Sequence, residues 1–234
     1  MDQGIKKMNM KLLAYDTSSA LLSVAVYDGE KKKGEFESSL GRHSESLAPE
    51  IDRLLKKSRL KPANLDCVAV GLGPGSFTGL RIGVTTAKVL AYSLNKKLIG
   101  VSSLEAIARE AAPSSPGRVA VLLDAKRSQV YAGIYETDKN FKTVWGPALT
   151  TPEKLTARLR QPTLLAGGGA ALYREFILKK NNRYCLFAAE GLFLFPKAAG
   201  IAEGAWERIK RRQFSDPFTL EPDYLSPRDC NVTK

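Results

Sequence analysis

The chain has 234 residues, and 36 Lys and Arg against 24 Asp and Glu give it a formal net charge of +12. The length fits one large domain or two small ones, and the charge favours an anionic partner, with nucleic acid as the first candidate. Three cysteines, Cys67, Cys185 and Cys230, lack metal or redox spacing and indicate a reduced, cytoplasmic compartment. The chain lacks an apolar signal core and any membrane-length apolar run, so neither secretion nor membrane insertion is expected.

The first predicted elements form an antiparallel meander. Residues 11–27 alternate and then run apolar around a polar turn, which predicts two strands joined by a hairpin with Asp16 at the end of the first strand. Residues 34–39 are predicted to add a third strand. A short strand over residues 68–70 is expected further along the chain.

A helix is predicted between the meander and that strand, because apolar residues recur there at helical spacing. Ser44 or Ser46 is the expected start signal, since Pro49 is compatible only with the first turn of a helix. The apolar stripe consists of Leu47, Ile51, Leu54 and Leu55.

The most informative segment is a glycine loop at residues 71–83, which reads Gly-Leu-Gly-Pro-Gly-Ser-Phe-Thr-Gly-Leu-Arg-Ile-Gly. Its spacing does not match a Walker loop, a dinucleotide fingerprint or a nucleophile elbow. Glycines this dense mark a backbone that turns sharply and lets another group come close. A phosphate, another chain or the neighbouring helix would satisfy that requirement. The predicted structural glycines are Gly73, Gly75, Gly79 and Gly83.

A helix is predicted to run from the glycine loop through Leu94, with Ser76 or Thr78 as its cap. Residues 98–101 then form a short strand, and Ser103 is expected to cap a helix of about ten residues. Residues 113–117, Pro-Ser-Ser-Pro-Gly, break the chain. The predicted domains are therefore residues 1–108 and 109–234, and the last segment of the second is expected to pack back on the first.

The second half repeats the first. Residues 121–136 align with the first hairpin without a gap, which places Asp16 over Asp124 and Tyr27 over Tyr135. A weaker match places Gly71 over Gly167. Thr151 and Pro152 are expected to begin a helix. Three strands, a helix, a strand and a helix, given twice, predict an α/β protein with two βββαβα-type domains, which is the duplicated actin-like (ASKHA, ribonuclease H-like) fold.

Two catalytic hypotheses follow from the residues alone. Asp16, Thr17 and Ser18 occupy the place of the first phosphate loop of actin-like folds, so they form either a vestigial phosphate loop or a plain hairpin turn. In a hydrolase, Ser76 would be the nucleophile and His43 the histidine of the triad; the alternative is that His43 caps a helix or lies at an interface. With one histidine and no acidic triplet at motif spacing, no metal site is predicted.

Four segments together resemble the TsaB (YeaZ) family. They are Leu-Ala-Tyr-Asp-Thr-Ser at 13–18, Arg-His-Ser-Glu at 42–45, residues 73–83 of the glycine loop and Pro-Asp-Tyr-Leu at 222–225. The resemblance is strongest over residues 11–108. The family commonly has an arginine soon after the Tyr-Leu pair, whereas here Ser226 and Pro227 precede Arg228.

The resemblance implies a non-catalytic subunit that works with a TsaD-type subunit and a TsaE-type ATPase. That complex transfers threonylcarbamoyl from threonylcarbamoyl-AMP to the adenosine beside the anticodon of tRNA. No cofactor is implied, and weak nucleotide binding stays open. Contact with tRNA is implied to be indirect or within the complex. The alternatives are a glycoprotease-like hydrolase and an ATP-binding phosphotransferase of the same fold.

The resemblance also implies that the glycine-loop helix and the preceding helix form one surface for both homodimerisation and TsaD binding. The alternative is that the two helices pack only against each other and the rest of their own domain. The predicted partner-binding residues are Leu47, Ile51, Leu54, Phe77, Leu80, Arg81 and Val84. The basic run at residues 208–212 is either an RNA or partner contact or the polar face of a terminal helix.

Overall fold

The computed structural model of the protein describes residues 10–39, 43–138, 140–180 and 183–225. Arg42, Cys230 and the tail at residues 226–228 lie outside these ranges. The strands within them are β1 Lys11–Asp16, β2 Leu22–Asp28, β3 Lys31–Ser38, β4 Cys67–Gly71, β5 Lys97–Val101, β6 Arg118–Asp124, β7 Val130–Glu136, β8 Lys142–Thr150, β9 Thr163–Ala166 and β10 Cys185–Phe187. The α-helices are α1 His43–Lys57, α2 Phe77–Ser93, α3 Ser103–Ala111, α4 Pro152–Thr156, α5 Gly168–Leu172, α6 Arg174–Lys179 and α7 Ala198–Lys210.

The strands form two sheets of the same topology. The first sheet has the order β3-β2-β1-β4-β5 and the second the order β10-β9-β6-β7-β8. In each, three antiparallel strands are followed by a strand parallel to the first. The predicted duplicated actin-like α/β fold is confirmed.

The predicted alignment of the two halves is correct for one strand pair and wrong by one residue for two. Leu12 pairs with Tyr27 on one side and with Cys67 on the other, whereas Val119 pairs with Tyr135 and Leu164. With Tyr27 over Tyr135 as predicted, β1 then lies over β6 with Leu12 on Val119, and Asp16 falls on Leu123 rather than Asp124. By the same register Gly71 falls on Gly168, not Gly167. A one-residue slip exchanges the two faces of a strand.

Each sheet is covered on both faces, which is why its central strands read as nearly continuous apolar runs. Helices α1 and α2 cover one face of the first sheet, where Leu13, Tyr15 and Val68 join their apolar stripes. The other face carries α7, whose Ile201, Ala205 and Trp206 pack against β1 and β5.

Helices α3 and α7 are exchanged between the halves. Helix α3 follows the last strand of the first sheet, but its Leu104, Ile107 and Ala111 pack on the second sheet, against β6, β7 and β9. Helix α7 follows the last strand of the second sheet and packs on the first. The two helices also contact each other, so they join the sheets. None of the helices in the described ranges is long and apolar enough to cross a bilayer.

Two helix starts differ from prediction. Helix α1 begins at His43, ahead of both serines, so Pro49 lies in its second turn, where a proline cannot donate the usual backbone hydrogen bond. Ser102 rather than Ser103 is the N-cap residue of α3. Ser76 and Thr151 cap α2 and α4 as predicted, each accepting a hydrogen bond from the amide three residues on.

Candidate site at the Asp16 turn and the glycine loop

Residues 16–18, here the Asp16 turn, follow β1 and are buried. One carboxylate oxygen of Asp16, Oδ1, accepts hydrogen bonds from both the amide and the hydroxyl of Ser18, each at 2.7 Å. The other, Oδ2, accepts from the hydroxyl of Ser103 at 2.6 Å. Both oxygens of the Asp16 carboxylate therefore accept from donors of the chain itself.

The glycine loop lies directly against the Asp16 turn. The amide of Ser76 donates to the Ser18 carbonyl at 2.6 Å, and the Thr17 hydroxyl donates to the Gly79 carbonyl at 2.7 Å. One helical turn further on, the Tyr15 hydroxyl donates to the Gly83 carbonyl at 2.9 Å. The backbone of α2 is thus bonded to the end of β1 and to the turn that follows it.

This close approach explains the glycine spacing. A Cβ at position 75 would overlap the Ser18 carbonyl, one at Gly79 the Thr17 carbonyl, and one at Gly83 the Thr17 hydroxyl. Gly73 has φ +95°, a backbone conformation that residues other than glycine rarely adopt. The motif therefore meets the requirement for close packing of a helix on a turn, without needing a ligand.

Ser103 is a site residue that the sequence prediction misassigned. Its hydroxyl donates to Asp16 and accepts from the Gly73 amide at 3.1 Å, so it bonds the Asp16 turn to the glycine loop. Ser103 is fully buried. It is 87 positions from Asp16 along the chain, and at the first residue of a helix it resembles a cap, so no local signal distinguishes the two roles.

The chemistry of phosphate binding needs amide or hydroxyl donors that are free to reach an anion. Here the hydroxyls of Thr17 and Ser18 and the Ser18 amide all donate within the chain. Burial raises the pKa of the Asp16 carboxyl, although the donors Ser103 and Ser18 and the nearby His43 oppose the rise. A buried carboxylate packed beneath a helix disfavours an anion at the same position.

His43 and Ser76 line one pocket of about 300 Å³, beside Ser19 and Ile82. The Nε2 atom of His43 lies 2.7 Å from the Ser19 carbonyl oxygen and so acts as a donor. The Ser76 hydroxyl accepts from the Gly79 amide at 3.3 Å as the N-cap of α2. Each side chain thus has a local partner, and no hydrogen bond joins the two within the described residues.

The predicted partner-binding set divides into two groups. Five of its members are buried in the core of the first half, with exposures of 1% for Leu47, 5% for Ile51, 1% for Leu54, 1% for Leu80 and 3% for Val84. Leu47, Ile51, Leu54 and Val84 belong to the apolar cluster that covers the first sheet. Ile51 also lines an apolar groove between α1 and α2, and the assignment of the set to a partner surface stays a prediction. Phe77 is half-buried and Arg81 exposed, and the Arg81 guanidinium lies 4.6 Å from the centre of the Phe77 ring.

The outer faces of α1 and α2 form an apolar groove, here the α1–α2 groove, of about 170 Å³. Ala48 and Asp52 are exposed on α1, and Thr86 and Leu90 are half-buried on α2. Ile51, Leu55, Pro62 and Leu65 complete its lining. Among the described residues no three His, Cys, Asp or Glu side chains are grouped so that they could hold a metal ion.

Comparisons with known proteins agree with this architecture. A family model described as TsaD, tRNA N6-adenosine threonylcarbamoyltransferase, matches residues 37–203. The tRNA threonylcarbamoyladenosine biosynthesis protein TsaB of Bacillus subtilis is 39% identical over 223 residues, covering 92% of this chain and 94% of that protein. The TsaB protein of Escherichia coli is 32% identical over 157 residues, covering 65% of this chain and 67% of that protein.

A solved structure described as YeaZ from Pseudomonas aeruginosa superposes with a TM-score of 0.81 at 27% identity. It covers 92% of this chain and 100% of that one.

Proposed function

Because this chain belongs to the TsaB family, we propose that it acts in the formation of threonylcarbamoyladenosine in tRNA, as the partner of a TsaD-type subunit. The TsaD-type subunit would carry the transfer from threonylcarbamoyl-AMP to the adenosine beside the anticodon. This chain would hold that subunit in its active arrangement, with a TsaE-type ATPase as a further partner, and would be non-catalytic alone.

The observation that carries the proposal is that the glycine loop and α2 pack directly on the Asp16 turn. The backbone of the glycine loop and of α2 lies directly against Thr17 and Ser18, and the hydroxyls of both residues and the Ser18 amide donate within the chain. A candidate catalytic loop that is covered in this way is not open to a substrate phosphate, whereas the outer surfaces of the chain are open to a partner. This supports a binding role over phosphotransfer at this turn.

The α1–α2 groove is the proposed contact surface for the TsaD-type subunit and, alternatively, for a second copy of the chain. Its floor is apolar, and its rim carries the exposed Ala48 and Asp52. Phe77 and Arg81 lie on α2, the same helix as the groove residues Thr86 and Leu90. One surface cannot serve both partners at once, so homodimer and heterodimer should exclude each other.

The test is to mix the purified chain with a TsaD-type subunit of the same source and measure mass by size exclusion with light scattering, with and without ATP and the TsaE-type ATPase. We expect a heterodimer to replace the homodimer, and threonylcarbamoyladenosine to form only when both subunits are present. A chain that ignores the TsaD-type subunit would contradict the proposal, as would ester or peptide cleavage by the chain alone that depends on His43.

The surface is tested by Ala48→Glu, which adds a charge and bulk at the groove without changing the core. Both the homodimer and the heterodimer should weaken at least tenfold. Ala157→Glu is the matched control, because Ala157 is an exposed residue at the end of α4 in the second half. Equal behaviour of the two variants would exclude the groove as the interface.

A further inference from the structure

A cavity of about 530 Å³ opens between α3, α7 and the β7–β8 hairpin, where the two sheets are joined. It is here called the basic cleft, and the side chains that define its chemistry are Glu105, Arg109, Phe141, Lys142, Arg208 and Arg211. Its volume is within the range of pockets that hold small ligands or one unit of a polymer. It is separate from the Asp16 turn and from the α1–α2 groove, none of whose lining residues it shares.

Arg109 is held in a fixed position in this cleft. Its Nε donates to the Glu105 carboxylate at 2.8 Å, its guanidinium lies 4.0 Å from the centre of the Phe141 ring, and its side chain is 11% exposed. Neither terminal nitrogen has a hydrogen-bond partner among the described residues. A guanidinium that is oriented in advance and retains its terminal donors suits an oxyanion, since those donors match two oxygens at once.

The acid beneath Arg109 is already neutralised. Arg208 donates to both oxygens of Glu105, at 2.9 and 2.8 Å, so one carboxylate is shared by two guanidinium groups and the trio keeps a net positive charge. Burial disfavours ionised Glu105, but Arg208 and Arg109 outweigh it and lower the pKa of its carboxyl. The carboxylate therefore orients the two arginines without cancelling both charges.

The rim of the cleft carries further charges of both signs. Arg211 is exposed at the end of α7, and Lys142 pairs with Glu136 outside the lining. Two more acids line the cleft: Glu207, which pairs with Lys210 at 3.0 Å, and Asp138. The basic run continues past the lining through Arg212, which is also exposed. Cations thus extend from inside the cleft along the surface, as they would along a polyanion.

We propose that the basic cleft binds a phosphate of an RNA backbone, with Arg109 donating from inside and Arg211 from the rim. A phosphate fits better than a base, because Phe141 already contacts Arg109 and Tyr135 and is not free to stack on a nucleobase. The inference rests on the proposed function in one respect, which is that tRNA is the RNA concerned. The chain then contacts tRNA directly, in addition to positioning its catalytic partner.

The test measures binding of the full-length chain to a fluorescently labelled tRNA that carries the target adenosine, by anisotropy over a series of salt concentrations. Arg211→Glu should weaken binding about tenfold and reduce the slope of log affinity against log salt by about one, as expected for one lost phosphate contact. Lys179→Glu is the matched control, since Lys179 is an exposed cation of α6 outside the cleft and its replacement changes net charge equally. It should change affinity by less than twofold.

A second variant, Arg109→Lys, keeps the positive charge but replaces the two terminal guanidinium nitrogens by one ammonium group, so binding should weaken severalfold. The melting temperature should fall less than it does when the charge at position 109 is removed. Inorganic phosphate and AMP are the competitors that distinguish RNA from a free nucleotide. Displacement of tRNA by micromolar AMP would overturn the RNA assignment, and so would equal loss in Arg211→Glu and Lys179→Glu. If the chain binds no tRNA either alone or with its TsaD-type partner, the inference is wrong.

Failure of this inference can be told apart from failure of the proposed function. Arg211→Glu should still form the heterodimer, since Arg211 is not in the α1–α2 groove. An unchanged tRNA affinity with an intact heterodimer overturns only the cleft, whereas absence of the heterodimer in the wild-type chain overturns the proposed function and leaves the tRNA measurement standing.

Discussion

The turns after β1 and β6 begin alike and lie in different surroundings. Asp16 accepts from the Ser18 amide at 2.7 Å, and Asp124 accepts from the Lys126 amide at 2.9 Å through the same carboxylate oxygen, Oδ1. Asp16 is completely buried, whereas the Asp124 side chain is 23% exposed and pairs with Lys126 at 2.8 Å. A duplicated turn has therefore become part of the core in one half and a surface feature in the other.

The difference between the two turns has two causes, which are the register of the strands and the packing of α2 over the first turn. Asp124 stands one residue further along its strand than Asp16 does, so the two side chains do not point to equivalent faces. The glycines of α2 let that helix close over the first turn. Over the second, Lys126, Arg127 and Ser128 stay exposed and all have positive φ, between 52° and 63°. The first turn is held by hydrogen bonds to the glycine loop and α2, whereas the second has three consecutive residues in the left-handed region.

The largest effect is expected from a variant that prevents α2 from packing on the Asp16 turn. Gly79→Ala would push a methyl group into the Thr17 carbonyl, so we expect the free energy of unfolding to fall by about 3 kcal/mol. Gly168→Ala is the control in the second half, where the nearest atom would be 3.6 Å away. An added methyl at the start of α5 should be neutral or stabilise by up to about 1 kcal/mol. Urea unfolding of both variants measures the contrast, and equal losses would refute it.

The element order and the duplication could be predicted because both depend on local signals, namely alternation, helical stripes and turn residues. Register could not, since short apolar strands such as β1 and β6 match almost equally well one residue apart. The burial of Leu47, Leu54 and Val84 against their own sheet could not be predicted for a related reason. An apolar helical stripe has the same appearance whether it faces a partner or its own sheet, and here the sheet needs covering.

The position of the Asp16 turn could be predicted from the sequence, but whether its donors face a ligand or the chain could not. Nothing in the residues 16–18 shows whether their donors point to a ligand or inward. The deciding contact, Ser103, lies far along the chain and depends on the parallel pairing of β1 and β4 and of β4 and β5, which brings the start of α3 beside the turn.

The two aspartates provide the next contrast. Asp16→Ala removes the acceptor for the buried hydroxyls of Ser18 and Ser103, and unsatisfied buried donors should lower the free energy of unfolding by about 2 to 3 kcal/mol. Asp124→Ala removes an exposed pair and should cost less than about 1 kcal/mol. Thermal and urea unfolding at neutral pH compare them. A larger loss for Asp124→Ala would mean that the open turn, not the closed one, stabilises the fold.

Helix α3, which joins the halves, offers a contrast between two glutamates. Glu105 has two arginine partners, whereas burial raises the pKa of Glu110 to about 7, against the opposing effect of Lys197 and backbone donors at the start of α7. Because this folded-state pKa lies above the unfolded one, near 4.3, the folded protein holds an extra proton between them. Stability from Glu110 is therefore present below about pH 4.5 and is lost as pH rises through 7.

We expect Glu110→Gln to gain about 2 kcal/mol relative to the wild-type chain between pH 5 and pH 8, after allowance for partial access of water. Urea unfolding at both pH values measures the difference. Glu105→Gln is the comparison, and its effect should not follow that pH dependence, because its carboxyl stays ionised across the range. A pH-independent difference for Glu110→Gln would show that its carboxyl titrates normally.

The smallest expected effect separates a cap from a nucleophile. The N-cap residue of α2 is Ser76, whose side chain accepts a hydrogen bond, whereas the N-cap residue of α5 in the second half is Gly167, which has no side chain to do so. Ser76→Ala should therefore cost about 1 kcal/mol of stability, and Ser76→Asp should restore most of it, because aspartate caps a helix as well as serine does. Aspartate cannot replace a serine nucleophile in peptide or ester hydrolysis. If tRNA modification by the complex follows stability, so that Ser76→Asp behaves as wild type, Ser76 acts by capping α2. If both variants fold normally but abolish activity equally, the Ser76 hydroxyl itself has a chemical role.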